Sequence, residues 1–267
     1  MNNIHTLDYS IFSGKVHEVK LPHKLQVVNT INAYSFVIAE TNPEFKRALQ
    51  RSDILLPDGF PIVVAVKLLS GKKIQKVAGA DLFIHYMNLL NKIKGRVFFI
   101  GSSESVLSMI KKNAGADFPN VHVGTYSPPF TPEISEKDSA KIISAIDKFK
   151  PDVVFVGMTA PKQELWVAEY KDKIKARSVC SIGAVFDFYA GKVKRAPNWM
   201  IFFNLEWLYR LVKEPGRLWK RYLIISPLFL LYILFYIINH RYEKNRKVIQ
   251  QREVETMPEL ELYPQAY

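Results

Sequence analysis

Arg96-Val97-Phe98-Phe99-Ile100-Gly101 is an apolar run that stops at a glycine, and the pattern recurs: Asp152 to Val156 is closed by Gly157, and Val179 to Ile182 by Gly183. Short runs of Val, Ile and Phe that are apolar on both faces read as strands buried inside a parallel sheet. A glycine closing each one places tight turns along one edge, where doubly wound sheets hold nucleotides. Helical stretches separate them, at Ser103 to Asn113, Glu133 to Phe149 and Pro161 to Lys173. Val121 to Tyr126 adds a strand before the stiff loop Ser127 to Pro132. The expected fold class is α/β, a Rossmann-like, mostly parallel sheet with helices on both faces, plus a C-terminal helical, membrane-associating appendage.

Toward the N-terminus the rhythm continues. Leu25 to Asn29 is a short strand leading to Thr30-Ile31-Asn32, with Asn32 placed to cap a helix over Ala33 to Glu40. Asn42-Pro43-Glu44 opens a second helix through Gln50 by cap and first-turn proline. Asp53 to Leu56 then runs into Pro57-Asp58-Gly59, a corner that presents one carboxylate in a turn at a strand end. A turn-capping aspartate and a catalytic one both fit that position. Phe60 to Leu69 and Ala80 to Lys92 read as helices, the first ending at Gly71; residues 1 to 20 read as polar and irregular.

Several function classes lose support. No Gly-x-Gly-x-x-Gly follows a strand and no Gly-x-x-x-x-Gly-Lys occurs, which disfavours dinucleotide dehydrogenases and P-loop nucleotidases. Gly-x-Ser-x-Gly is missing, as is an Asp-x-Asp pair. The six histidines lack metal-ligand spacing, and the single cysteine, Cys180, lies in an apolar run as a buried thiol. No metal site and no cofactor is expected. Met1 to Lys20 carries no cleavable leader pattern, so a cytosolic core is expected.

The net charge of +12 is concentrated near the C-terminus. From Lys192 to Lys247 there are twelve Lys or Arg against three Glu, a balance of +9. Trp199, Phe202, Phe203, Trp207 and Leu211 fall near one helical face, while Arg210, Lys213, Arg217 and Arg221 recur on another. Leu223 to Ile238 is sixteen residues without a charge. That is about 24 Å of straight helix, short of a bilayer core of about 30 Å. An interfacial or re-entrant helix fits it better than a span or a core helix. Anionic lipid is the expected partner rather than nucleic acid, and the glutamate-bearing end from Val248 to Tyr267 reads as a disordered acidic tail.

With these pieces together, the sequence resembles the WecG/TagA/CpsF glycosyltransferases of bacteria, glycosyltransferase family 26. The resemblance rests on stretches in order: Thr30-Ile31-Asn32-Ala33, Leu56-Pro57-Asp58-Gly59, Val77-Ala78-Gly79-Ala80-Asp81-Leu82, Phe99-Ile100-Gly101, Pro161-Lys162-Gln163-Glu164 and Gly183-Ala184-Val185-Phe186-Asp187-Phe188. It continues through Ala190 to Pro197, Glu206-Trp207-Leu208-Tyr209-Arg210-Leu211, Glu214-Pro215 and Arg221-Tyr222-Leu223, spanning residues 25 to 223.

The resemblance implies an inverting, metal-independent transfer of a sugar from a UDP-sugar to a polyprenyl-diphosphate-linked saccharide, for a surface polysaccharide or wall polymer. Asp58 matches the family's proposed base and Thr30 a polar residue beside it. Asn32 lines the same edge, and Gly101 is matched to substrate binding. Gln163 and Glu164 are matched to sugar or nucleotide binding, and Asp187 either contacts the nucleotide or holds its loop. Arg210, Arg217 and Arg221 match basic residues that close over the site, with attraction to lipid as their other role. Lys76 stands where the family commonly has arginine and keeps the charge without the bidentate fork. The division expected is 1–94, an N-terminal lobe carrying Asp58; 95–195, the nucleotide-sugar lobe; 196–247, the basic aromatic appendage with its apolar segment 223–238; and 248–267, the tail. The resemblance places the protein at the cytoplasmic face of the inner membrane, peripheral or monotopic, with a homo-oligomer within expectation. A noncatalytic, membrane-associated nucleotide-sugar-binding protein is the alternative.

Overall fold

A computed structural model describes residues 2–193, 196–203 and 205–239, without the side chains of Asn198 and Arg217. The tail assigned to 248–267 and the basic residues 240–247 lie outside the described residues, as does the Arg217 side chain. In chain order the elements are β1 (Asn3–Thr6), β2 (Tyr9–Phe12), β3 (Gln26–Ile31), α1 (Ala33–Thr41), α2 (Pro43–Gln50), β4 (Ile54–Pro57), α3 (Phe60–Ser70) and α4 (Gly79–Ile93). Then come β5 (Arg96–Gly101), α5 (Glu104–Asp117), β6 (His122–Tyr126), α6 (Glu136–Phe149), β7 (Val153–Gly157), α7 (Lys162–Tyr170), β8 (Ser178–Ser181) and α8 (Val185–Tyr189). The C-terminal segment holds α9 (Asn198–Phe202), α10 (Glu206–Lys213) and α11 (Pro215–Trp219).

The strands form one eight-stranded sheet in the order β1-β2-β4-β3-β8-β7-β5-β6. Only β1 and β2 pair antiparallel; the other pairings are parallel. That hairpin corrects the expectation of irregular structure over residues 1 to 20. Its turn is Leu7-Asp8, both with positive φ (55° and 63°). A two-residue turn of this kind normally advertises itself through Asn-Gly or Asp-Gly, and neither is present. Burial of the Leu7 side chain helps hold the strained turn.

Strand alternation splits the core into two faces. Val28, Leu56, Val97, Phe99, Phe155 and Cys180 pack under α4, α5 and α8. Val27, Phe98, Ile100, Val154, Val156 and Val179 pack under α6 and α7, and Ile31 and Leu55 under α1, α2 and α3. Because β3, β4, β5, β7 and β8 run parallel, their carboxyl ends share one edge. From β4 the chain passes β3, β8 and β7 before it re-enters the sheet at β5. The turn after β4, which carries Asp58, is therefore where the chain leaves one half of the sheet for the other.

The C-terminal segment folds back onto this body. α11 runs on through a π-helical stretch (Lys220–Ile225) into helix over residues 226–239. Phe229 and Ile233 on that helix are buried in the cluster around Phe36, Tyr9 and Ile31, with Tyr232 and Tyr236 beside them. Phe36 meets Phe229 edge to face at 5.3 Å between ring centroids. The Tyr236 hydroxyl donates to Asp8 Oδ2 at 2.7 Å, a further tie between the helix and the hairpin turn. The helix Lys220–Asn239 is 20 residues long with mean hydropathy 2.1, enough by length and composition to cross a membrane, and only 11% of its apolar window is buried.

Candidate active site

Asp58 is fixed by the backbone before its side chain is considered. Its N–H donates to Ile31 O at 2.8 Å, which locks the β4 turn to the end of β3, where Thr30 stands opposite Leu56. Gly59 follows at φ 113°, a conformation that favours glycine, and lets α3 start at once. The next layer arrives by another main-chain bond: Val77 N–H donates to Pro57 O at 3.0 Å, and this carries Lys76 to the same turn. α4 then begins with Asp81 accepting from Ala78 N–H at 2.9 Å, a side chain closing its own helix start.

The Asp58 carboxyl keeps some contact with solvent but is crowded by protein, and desolvation pushes its pKa up to about 6. The positive charges of Arg221 and Lys76 oppose that rise, and the negative charges of Glu206 and Asp81 reinforce it. These charges come from the β4 turn, the loop before α4, α4 itself, α10 and the π-helical stretch. Residues more than 160 positions apart thus share one electrostatic environment. The result is a carboxylate that is ionised at neutral pH yet basic enough to accept a proton.

The remaining predicted residues occupy distinct positions. Asn32 caps α1, its Oδ1 accepting from Ser35 N–H at 3.1 Å while its own N–H donates to Ser35 Oγ at 2.8 Å. Gly101 ends β5 at φ 113°, beside Gly157, where an added Cβ would lie 2.5 Å from Gly157 O. Gln163 is buried at the start of α7; its Oε1 accepts from Met158 N–H at 3.1 Å and its Nε2 donates to Glu164 Oε1 at 2.8 Å. The Gln163 amide therefore ties the β7 turn to α7, and an added Cβ on Gly183 would come within 3.7 Å of it.

Glu164, held by that amide, also borders a separate space. With Asn29 it lines a cavity of about 320 Å³ between α2 and α7, and burial pushes its carboxyl up to about 7. Asp187 is half-buried in α8, and its main-chain oxygen accepts from Val193 N–H at 3.2 Å. Arg210 and Arg221 lie over aromatic rings of the α/β body, Arg210 over Phe188 at 5.1 Å and Arg221 over Tyr34 at 4.8 Å. Among the described residues, no group of three His, Cys, Asp or Glu side chains could hold a metal ion.

Sequence reasoning did not assign Glu206, Asp81, Tyr34 or Phe188 to the site. Asp81 read as a helix-start residue and Glu206 as one of three acids in a basic segment. Tyr34 and Phe188 each stand within two residues of an assigned position, Asn32 and Asp187, which is the one local hint available.

A broad apolar surface adjoins the site. Trp199, Phe202, Phe203, Trp207, Val212, Trp219, Leu223 and Leu230 are exposed, and all lie in the C-terminal segment. Solvent-facing apolar residues in such number mark a contact surface rather than ordinary scatter.

Residues 2–243 match the Glycosyl transferase WecG/TagA/CpsF family. Two curated proteins similar to the chain carry the name N-acetylglucosaminyldiphosphoundecaprenol N-acetyl-beta-D-mannosaminyltransferase. The one from Bacillus subtilis is 32% identical over 221 residues, covering 83% of this chain and 81% of its own. The one from Bacillus spizizenii is 36% identical over 188 residues, 70% of each chain.

Proposed function

The chain belongs to the WecG/TagA/CpsF glycosyltransferase family, and on that premise we propose that it transfers a hexose-type sugar from a UDP-sugar to a polyprenyl-diphosphate-linked saccharide, with inversion and without a bound metal. The observation that carries this reading is Asp58, a single carboxylate in the turn where the chain changes halves of the sheet, set against Lys76 and Arg221. The relatives' name specifies an N-acetylmannosaminyl group and an N-acetylglucosaminyl-diphosphoundecaprenol acceptor. An N-acetylmannosamine donor is accordingly the first candidate for this chain.

In the proposed step the acceptor hydroxyl oxygen attacks the anomeric carbon as the bond to the UDP oxygen breaks. The hydroxyl proton passes to Asp58, and the departing electron pair stays on the diphosphate. Lys76 offsets that charge as it develops, the role such a cation plays best in a partly desolvated site, while Arg210 and Arg221, on the lipid-facing C-terminal segment, meet the diphosphate of the acceptor. Thr30 orients the acceptor hydroxyl beside Asp58. Gln163 shapes the β7 turn against Gly183.

The lipid end of the acceptor fits the apolar C-terminal surface. Phe229 and Ile233 anchor one face of the long helix to the body, so lipid has access only to the opposite face. In this reading the helix lies in the interface of the cytoplasmic leaflet, peripheral or monotopic, with Trp199, Trp207 and Trp219 at headgroup depth.

A donor panel tests the proposal. UDP release from UDP-sugars is followed with and without a short-chain polyprenyl-diphosphate-N-acetylglucosamine acceptor, in the presence of EDTA. Release that needs both donor and acceptor supports the reading. Donor binding with no acceptor-dependent release from any member of the panel favours a noncatalytic binder.

A further inference from the structure

We infer that Tyr34 and Phe188 are positioning residues, each an aromatic shelf that holds one arginine of the C-terminal segment with its N–H edge toward a diphosphate. The inference rests on the diphosphate-acceptor reading above and adds the residues that make the cations usable. Arg221 Cζ lies 4.8 Å from the Tyr34 ring centroid, and Arg210 Cζ lies 5.1 Å from that of Phe188. The shelves come from different parts of the body, Tyr34 from the first turn of α1 beyond β3 and Phe188 from α8 beyond β8. Each sits within two residues of the carboxyl edge positions Asn32 and Asp187.

What the two guanidiniums lack is as informative. Among the described residues neither makes a hydrogen bond or an ion pair, and Arg210 Nε is buried without a partner. A guanidinium whose Cζ sits over a ring and whose nitrogens make no hydrogen bond among the described residues keeps its donors for phosphate oxygens, which it can meet in a fork. Half-buried, Arg210 has no ion pair among the described residues and Arg221 has only the longer-range attraction of Asp58, so both gain when an anion arrives. The shelves hold both cations in place until then. Tyr222 stands 5.9 Å from Arg221 on its own helix and moves with it, so among the described aromatic rings it is Tyr34 that ties Arg221 to the body.

A purely structural role would let leucine replace the rings, and this is the discriminating test. In the full-length protein, Tyr34→Leu and Phe188→Leu are compared with Tyr34→Phe and Phe188→Tyr, after thermal melts show that all four fold. The leucine variants should raise KM for the lipid-diphosphate acceptor by about 2- to 30-fold, the range a cation–aromatic contact supports. The aromatic variants should stay close to wild type.

The pH profile separates the two shelves. The charges facing Asp58 are Arg221, Lys76, Glu206 and Asp81. Tyr34→Leu frees only Arg221, so the acid limb of kcat/KM should move to higher pH. In Phe188→Leu it should stay in place. Equal KM values and an unmoved limb in both leucine variants overturn the inference, as does an equal loss in leucine and aromatic variants.

Equilibrium binding of inorganic pyrophosphate, followed by tryptophan fluorescence, gives a readout independent of turnover. Weaker binding in the leucine variants alone supports the shelves even if no transfer is detected. Equal binding in all five proteins overturns them while leaving the reaction assignment untouched.

Discussion

Replacing Asp58 with asparagine should make the protein more stable and less active at once. The folded-state pKa of Asp58 is pushed up from 3.8 to about 6, so the native state holds a proton that the unfolded chain has already released. Stability is therefore lost as pH rises from about 4 through 6, and the loss is complete above about pH 7. At 1.36 kcal/mol per pH unit the rise amounts to about 3 kcal/mol. Asparagine resembles the neutral acid and carries no such cost. Asp58→Asn should thus gain about 2–3 kcal/mol at pH 7.5, or about 4–12 °C in Tm for a body of this size, and almost nothing at pH 4. Thermal melts of both proteins across that pH range make the comparison. A turn-capping aspartate predicts a near-neutral change at every pH, since asparagine caps as well. No gain at pH 7.5, or a gain that persists unchanged at pH 4, would show that the fold does not hold a proton on Asp58 that the unfolded chain releases.

The same carboxyl sets a pH–rate profile: with a base near pKa 6 that must be ionised, kcat/KM should climb through pH 6 and stand at about a tenth of its plateau at pH 5. Arg221→Ala should shift that limb to higher pH, with Arg221→Lys in between. Glu164 is raised from 4.5 to about 7, so Glu164→Gln should stabilise the fold by about 3 kcal/mol at pH 8.5 and little at pH 5, checked by denaturant titration. Gly101→Ala should cost at least about 2 kcal/mol, because its φ of 113° strains any side chain and the new Cβ would meet Gly157 O at 2.5 Å. Phe229→Ala should cost about 3–5 kcal/mol by opening a cavity beside Phe36, visible as an earlier melt and weaker binding to anionic vesicles.

The parallel sheet was legible because β5, β7 and β8 are buried on both faces, which leaves short apolar runs ending in glycine. Caps were legible for the same local reason, as at Asn32 and Asn42, where a side-chain oxygen meets a main-chain N–H three residues on. The β1–β2 hairpin was hidden, since Leu7 and Asp8 adopt positive φ without the residues that usually signal it. The C-terminal helix gave its apolarity to the sequence reading but not its docking. Nothing in the spacing of Phe229 and Ile233 announces Phe36 as their partner. The environment of Asp58 was least legible. Lys76 arrives through a main-chain bond to Pro57, and Glu206 and Arg221 arrive through tertiary folding of a distant segment. Local pattern carries no record of such meetings.

The most direct test of the central claim is product formation at saturating UDP-sugar and lipid-diphosphate acceptor, comparing wild type with Asp58→Asn at pH 7.5 and measuring donor affinity in the same samples. If Asp58 takes the acceptor's proton, turnover falls by about 10²- to 10⁴-fold while donor binding stays within a few-fold of wild type. Turnover within a few-fold of wild type would contradict the account and return Asp58 to the role of a turn residue.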